Sequence, residues 1–336
     1  MSTPRTQTLP AAADLLPRVR GAGWRQLLEQ REATIAAVLV VMATVLSIAY
    51  PQFRTLDNVN NILLAVAQVA IVGVGMTMVI ISGGIDVSVG SALAVCAVYV
   101  GLALQHGASA VEAIGVALAI GTAIGLANGL LVGLGRIHSI IVTFGMMNIL
   151  RLVAYKPTGG DWLSSVPDRL HFFGLGKVAG IPFAWWIAMG LGAIATYYLK
   201  RRPTGRHLYA LGGNAETARL AGVSVLKRTI LVYTLTGTLV GVASIVFVGS
   251  TAVIQTGQVG IGFELDVIAA VVIGGTSILG GKGSVVGTLL GALLVSTIRN
   301  ALVVVNASAL YTGLILGGLI LLTVALDLLR RKGREE

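Results

Sequence analysis

Ten apolar stretches punctuate this chain, at about residues 33–50, 62–81, 89–105, 111–134, 138–155, 183–199, 229–250, 264–280, 285–305 and 309–329. A soluble core has no use for so many runs near the ~20 residues that a helix needs to cross about 30 Å of hydrocarbon. Within hydrocarbon every backbone N–H and C=O must be paired inside the segment, which leaves helices for spans of this length. The chain therefore reads as an all-α polytopic membrane protein of about ten transmembrane helices, the shorter ones broken or re-entrant.

The basic residues give the orientation. With the N-terminus inside, eighteen Lys and Arg fall on cytoplasmic pieces. Arg54, Lys156, Arg169 and Lys177 are the four that fall outside. That split follows the positive-inside bias, and an even number of spans returns both termini to the cytoplasm. The organisation is then a cytoplasmic leader (1–32), a transmembrane domain (33–329) and a cytoplasmic tail (330–336). An external loop (156–182) and a cytoplasmic loop (200–228) interrupt the domain. The 33–50 run is too long for a cleaved signal and reads as an anchor. The net charge of +10 is spent on topology, with no basic face interleaved with aromatics, so nucleic acid is excluded as a partner.

Catalytic chemistry finds no foothold. Cys96 lies alone in an apolar run, and the four histidines have no paired spacing. HExxH and GxSxG are missing from the sequence, and no acidic dyad at helical spacing lies inside a span. GGTSILGGKGS (274–284) fails as a phosphate loop, because Thr276 takes the first Gly position and Gly283 replaces the hydroxyl residue after Lys282. The expectation is a non-enzymatic chain that binds neither metal nor cofactor.

The cytoplasmic loop carries seven Lys/Arg against one acid, Glu216. Asn214 stands at a helix-cap position, AETARLA favours helix, and Gly222 suits the C′ position. A short capped helix between spans implies a soluble partner that docks on it.

Two interruptions place polar groups at membrane depth. In ISGGIDVSVG (81–90), Asp86 and Ser88 either cap the next helix or border a solute path. In IQTGQVGIGFELDVIA (254–269), Gln255, Gln258 and Glu264 belong either to an outside loop that starts a helix or to a re-entrant stretch. Asn128 and Asn148 lie on helical segments, while Arg151 and Arg299 sit near segment ends where they can snorkel. Uncharged amides and hydroxyls suit a neutral, hydroxyl-rich solute. Glycines at 121, 125, 129 and 133, with Gly237/Gly241, Gly287/Gly291 and Gly313/Gly317, predict close helix packing.

Four stretches together carry a family resemblance: GMTMVIISGGIDVSVGS (75–91), GRIHSIIVTFGMMNILR (135–151), GRHLYALGGNAETARLAGVSV (205–225) and ELDVIAAVVIGGTSILGGKGSVVGTLLGALL (264–294). With their span order, the chain resembles, from about 33 to 329, the inner-membrane permease subunits of bacterial ATP-binding-cassette importers of the ribose/monosaccharide branch. The resemblance implies two permease chains, identical or similar, two cytoplasmic ATPase subunits that use the ATP, and a periplasmic sugar-binding protein. It also implies that Glu216-x-Ala218-x3-Gly222 marks a coupling helix, with Asn214, Ala215, Glu216, Arg219, Leu220 and Gly222 docking on the ATPase. Thr217 replaces an alanine common there, and Arg299 an expected asparagine. A stand-alone secondary carrier or facilitator of a small polar solute is the alternative, and such a protein would have no purpose for a coupling helix.

Overall fold

The computed structural model describes residues 31–308 and 310–335, so nearly all of the expected leader lies outside the described residues. The chain is mostly helical. Its helices are α1 (Arg31–Ala49), α2 (Leu56–Ile81), α3 (Val89–Gln105), α4 (Ala110–Gly133), α5 (Ser139–Tyr155) and α6 (Phe183–Arg201). They continue with α7 (Pro203–Gly213), α8 (Ala215–Leu220), α9 (Val225–Gly249), α10 (Phe263–Ile273), α11 (Val285–Val304) and α12 (Leu310–Glu335). Residues 32–49 of α1 and the whole of α2, α4, α9 and α11 are long and apolar enough to cross a bilayer. Each of the ten apolar stretches holds a helix.

Three boundaries differ from the sequence reading. The 264–280 run is helical only to Ile273, because Gly274 and Gly275 end it and a loop continues to Ser284. The 330–336 tail continues the α12 helix to Glu335. The 200–228 loop holds two helices rather than one. The first, α7, opens with Pro203 in its first turn, where a missing N–H costs nothing.

The middle of the bundle is α2. From Val66 to Ile81 its side chains are buried on nearly every side, as suits a helix apolar all round. Against it pack α6, α9, α10 and α11. Along α9 runs α4, and the seam is made of glycine backbone. A Cβ on Gly125 would lie 3.0 Å from Gly237 Cα and collide with Tyr233 O. One on Gly129 would lie 2.9 Å from Ile230 Cα. Gly287 and Gly291 likewise press on Gly274 and Ala270. Gly313 and Gly317 instead meet nothing within 4 Å and form no packing ridge among the described residues. Gly125→Val wedges the α4–α9 seam open. The expected result is a loss of about 1–3 kcal/mol, the usual scale of overpacking, read as a lower melting temperature in detergent.

At the end of the bundle opposite the basic loop, the 156–182 segment folds onto residues 250–262. Strand β1 (Trp162–Leu163) pairs antiparallel with β4 (Ile254–Gln255), and β2 (Lys177–Val178) with β3 (Ile181–Pro182). Thr158 and Thr256 hydroxyls share a 2.9 Å hydrogen bond. Arg169 ties this lid to the end of α3 by donating to Gly107 O at 2.7 Å.

Candidate functional site

Helices α3 and α10 hold 17 and 11 residues, or roughly 25 and 16 Å at the helical rise. Both begin inside the bundle, each after one of the two interruptions. In the first, Gly83 turns the chain at φ 89°. The strand-like stretch that follows lies along α5. Ile85 N–H donates to Ser139 Oγ and Val87 N–H to Thr143 Oγ1, both at 3.2 Å. Side chains of α5 thus supply partners that an unwound backbone would otherwise lack.

Asp86, Ser88 and Asn128 meet there as a buried cluster in which Asn128 Oδ1 has no hydrogen-bond partner among the described residues. Asp86 Oδ1 accepts from Ser88 N–H at 2.9 Å and from Ser88 Oγ at 2.6 Å. Asn128 Nδ2, on α4, donates to Ser88 Oγ at 2.8 Å and to Asp86 Oδ2 at 3.3 Å. The exposures are 3%, 1% and 0%. The Ser88 hydroxyl makes no cap bond to α3. The cluster is a clasp that fastens the interruption to α4.

The second interruption passes through Gly260 (φ 72°) and Gly262 (φ 75°). It meets the first head-on. A Cβ on Gly90 would collide with Gly260 O and Glu264 Oε2, and one on Gly260 with Gly90 O. The Glu264 carboxylate therefore sits at the N-terminal turn of α3, where the helix dipole favours an anion. Neither arginine of the apolar segments merely snorkels. Arg151 Nη1 donates to Val259 O at 2.6 Å, holding the second interruption against α5. Arg299 forms a 2.6 Å ion pair with the buried Asp266, joining α11 to α10.

The remaining polar candidates stand apart from the clasp. Asn148 is exposed on α5 and donates to Phe144 O one turn back at 2.8 Å. Gln255 and Gln258 are exposed on the second interruption. Among the described residues no group of three or more His, Cys, Asp or Glu is placed to hold a metal ion.

The basic end holds α7 and α8. Asn214 Oδ1 caps α8 by accepting from Thr217 N–H at 2.9 Å. The helix closes with Gly222 at φ 82°, its N–H on Arg219 O, while Val223 N–H bonds Ala218 O. This is a Schellman arrangement with Gly222 at C′. Ala215 leads the helix and Ala218 is buried beneath it, whereas Leu220 is 76% exposed. Glu216 and Arg219 pair at the surface, at 3.0 and 2.5 Å. The guanidinium holds the Glu216 carboxyl below its ordinary range. The pair is therefore present above the usual carboxylate pKa and is lost as pH falls through the lowered one. A cavity of ≈1060 Å³ opens between α8 and the 134–138 turn, with Glu216, Arg219, Arg136 and His138 on its walls.

What the sequence reading missed is how α8 reaches the interior. Gly212, near the end of α7, lies on the Ile81 carbonyl so closely that any side chain would strike it. Gly281 N–H donates to the same carbonyl at 2.9 Å. Tyr209, also on α7, donates to Gly283 O at 3.1 Å. So α7 stands on the last residue of α2, where the first interruption begins. The signals were Pro203 at a helix start and the Gly212-Gly213 pair at its end.

Comparison with known proteins places the chain among transport permeases. The chain is 40% identical to the ribose import permease protein RbsC of Escherichia coli (strain K12), over 90% of this chain and 94% of that protein. It is 34% identical to the L-arabinose ABC transporter permease protein AraH of Azospirillum brasilense, over 100% and 98%. With the autoinducer 2 import system permease protein LsrC of Klebsiella pneumoniae subsp. pneumoniae it shares 35% identity over 90% and 88%. No solved structure matches. Residues 58–324 match the family described as branched-chain amino acid transport system / permease component, and with that match across most of its length the chain belongs to this family of transport permeases.

Proposed function

We propose that the chain is the membrane permease subunit of an ATP-driven importer that carries a monosaccharide, ribose or a related sugar, across the bacterial inner membrane. Although the family is described by branched-chain amino acids, the full-length relatives named above are a ribose, an L-arabinose and an autoinducer 2 permease. About ten helices build the membrane domain, with α10 reaching only part-way across, both termini are cytoplasmic, and a second permease chain completes the passage. The chain itself binds neither nucleotide nor cofactor. Hydrolysis belongs to a cytoplasmic ATPase seated on α8 through Asn214, Ala215, Glu216, Arg219, Leu220 and Gly222. A periplasmic binding protein delivers the sugar to the 156–182 side.

The observation that carries this reading is the stack from α8 through α7 to the end of α2. A helix that short and that exposed contributes little to the bundle, but any displacement of it is passed by Gly212 to Ile81 and so to the Asp86 clasp. Closure of the ATPase dimer on ATP then tips the bundle between inward- and outward-facing states as a rigid-body change about the interruptions.

Two measurements test it. Purified chain alone in proteoliposomes is expected to show no uptake of radiolabelled ribose, and uptake that persists without ATP or ATPase would favour the stand-alone carrier. In the assembled transporter, Glu216→Arg breaks the surface pair and is expected to lower ATPase retention on the membrane and ribose uptake together, about threefold, the scale of an exposed ion pair. Retention unchanged with the variant in place would move the docking site off α8.

A further inference from the structure

The outer face of α5 combines an exposed amide with an open notch and a free aromatic ring. We propose that Phe144, Gly145 and Asn148 form the wall of the solute path, where a neutral polyhydroxylated ring is held. The proposal rests on the importer reading above and gives the passage a location within it.

Asn148 lies nine residues into the 17-residue α5, about 14 Å from its start and so near mid-depth. Its bond to Phe144 O uses one of four hydrogen-bonding positions of the amide. The rest of the group would be left unpaired in hydrocarbon, which is costly. The neighbouring α4 shows what a lipid-facing surface of this chain looks like: Gly115, Ala119, Ala123, Leu126 and Leu130 are exposed, and all are apolar. The exposed side of α5 likewise carries Ile140, Ile141, Ile149 and Leu152, but it sets an amide, Asn148, among them at mid-depth, and that amide needs a polar partner outside the helix.

The face also has the shape of a site. Phe144 is 58% exposed, and Asn148 lies one turn above it on the same side of the helix. Between them a Cβ on Gly145 would meet nothing within 4 Å, which leaves a notch bordered by a flat ring and an amide. A sugar presents a C–H face to such a ring and hydroxyls to such an amide, the usual mix of apolar wall and few polar anchors.

Behind this face, α5 is fastened to both interruptions: to the first by Ser139 and Thr143 and to the second by Arg151. Whatever moves the interruptions moves the notch. Among the described residues this face stays exposed, and on the importer reading the second permease chain supplies the opposite wall.

The test uses single-cysteine chains in a Cys96→Ala background, assembled with the ATPase and binding protein in cells. Gly145→Cys and Asn148→Cys are expected to react with a charged, membrane-impermeant methanethiosulfonate at least tenfold faster than Leu126→Cys on α4. Equal rates at all three positions would overturn the wall. In the same assembly Asn148→Leu is expected to raise the KM for ribose about tenfold, with membrane level and ATPase retention unchanged. An unchanged KM would overturn recognition by the amide. A wild-type transporter that takes up no ribose would overturn the ribose-like reading and the ring chemistry with it, while the thiol rates, which need no substrate, would still decide where the path runs.

Discussion

Asn128→Leu is expected to lower the melting temperature of the detergent-purified chain by on the order of 5 °C and to abolish uptake in the assembled transporter. The substitution keeps the heavy-atom count and branching of the side chain, and its larger methyl groups add some overpacking to the loss of hydrogen bonds. It leaves Asp86 Oδ2 without its donor and removes the N–H that Ser88 Oγ accepts, while that hydroxyl keeps its bond to Asp86 Oδ1. Each buried polar group left unpaired costs about 1–3 kcal/mol. Asp86→Leu is expected to be at least as damaging, because it unties both Ser88 N–H and Ser88 Oγ. The double variant decides what the cluster is. If the three residues act as one clasp, Asp86→Leu with Asn128→Leu costs less than the two single losses together, by about 1–3 kcal/mol. Strict additivity would mean that the residues are buried side by side but stabilise the interruption independently. The functional readout then separates fold from transport. A double variant that recovers melting temperature and still fails to transport would assign the clasp to movement rather than to stability.

How much of this was legible beforehand depended on the range of the interaction. The helices were visible because hydrocarbon demands continuous apolar runs, and all ten runs are helical. The cap and C′ residues of α8 were visible because capping is local, settled within four residues of Asn214 and Gly222. The clasp was not. Asp86 and Ser88 are neighbours in sequence, but Asn128 reaches them across forty residues, and only the α4–α9 glycine seam fixes the height at which it arrives. Arg151 and Arg299 were misjudged for the same reason. Their positions near segment ends suggested snorkelling, whereas Val259 O and Asp266 are partners supplied by other segments. Asn148 was singled out as a polar residue on a helix, but its exposure, which gives it meaning, exists only once α5 has been packed. Gly212 escaped notice altogether, since a glycine pair before a capped helix reads as a linker until the Ile81 carbonyl is found beneath it.

Gly212→Leu is expected to separate ATP hydrolysis from transport. Its side chain would have to occupy the space now filled by Ile81 O and Gly281 N, so α7 must lift from the end of α2. The surface of α8 is untouched by this, being fixed by its own cap, its Schellman turn and the Glu216–Arg219 pair. The ATPase should therefore bind as before and hydrolyse ATP at a rate within about twofold of wild type, while sugar uptake falls at least tenfold, a change of about 1.4 kcal/mol or more in the coupling between the two. Gly213→Leu is the matched control. It adds the same side chain one residue along, where a Cβ meets nothing within 4 Å, and should leave uptake close to wild type. The contrast between neighbours excludes a general effect of bulk on the loop. If Gly212→Leu released the ATPase from the membrane, α7 would be a support for the docking surface and nothing more. If both activities survived, force from α8 would have to enter the bundle elsewhere, through the starts of α9 or the 134–138 turn that border the cavity beside it.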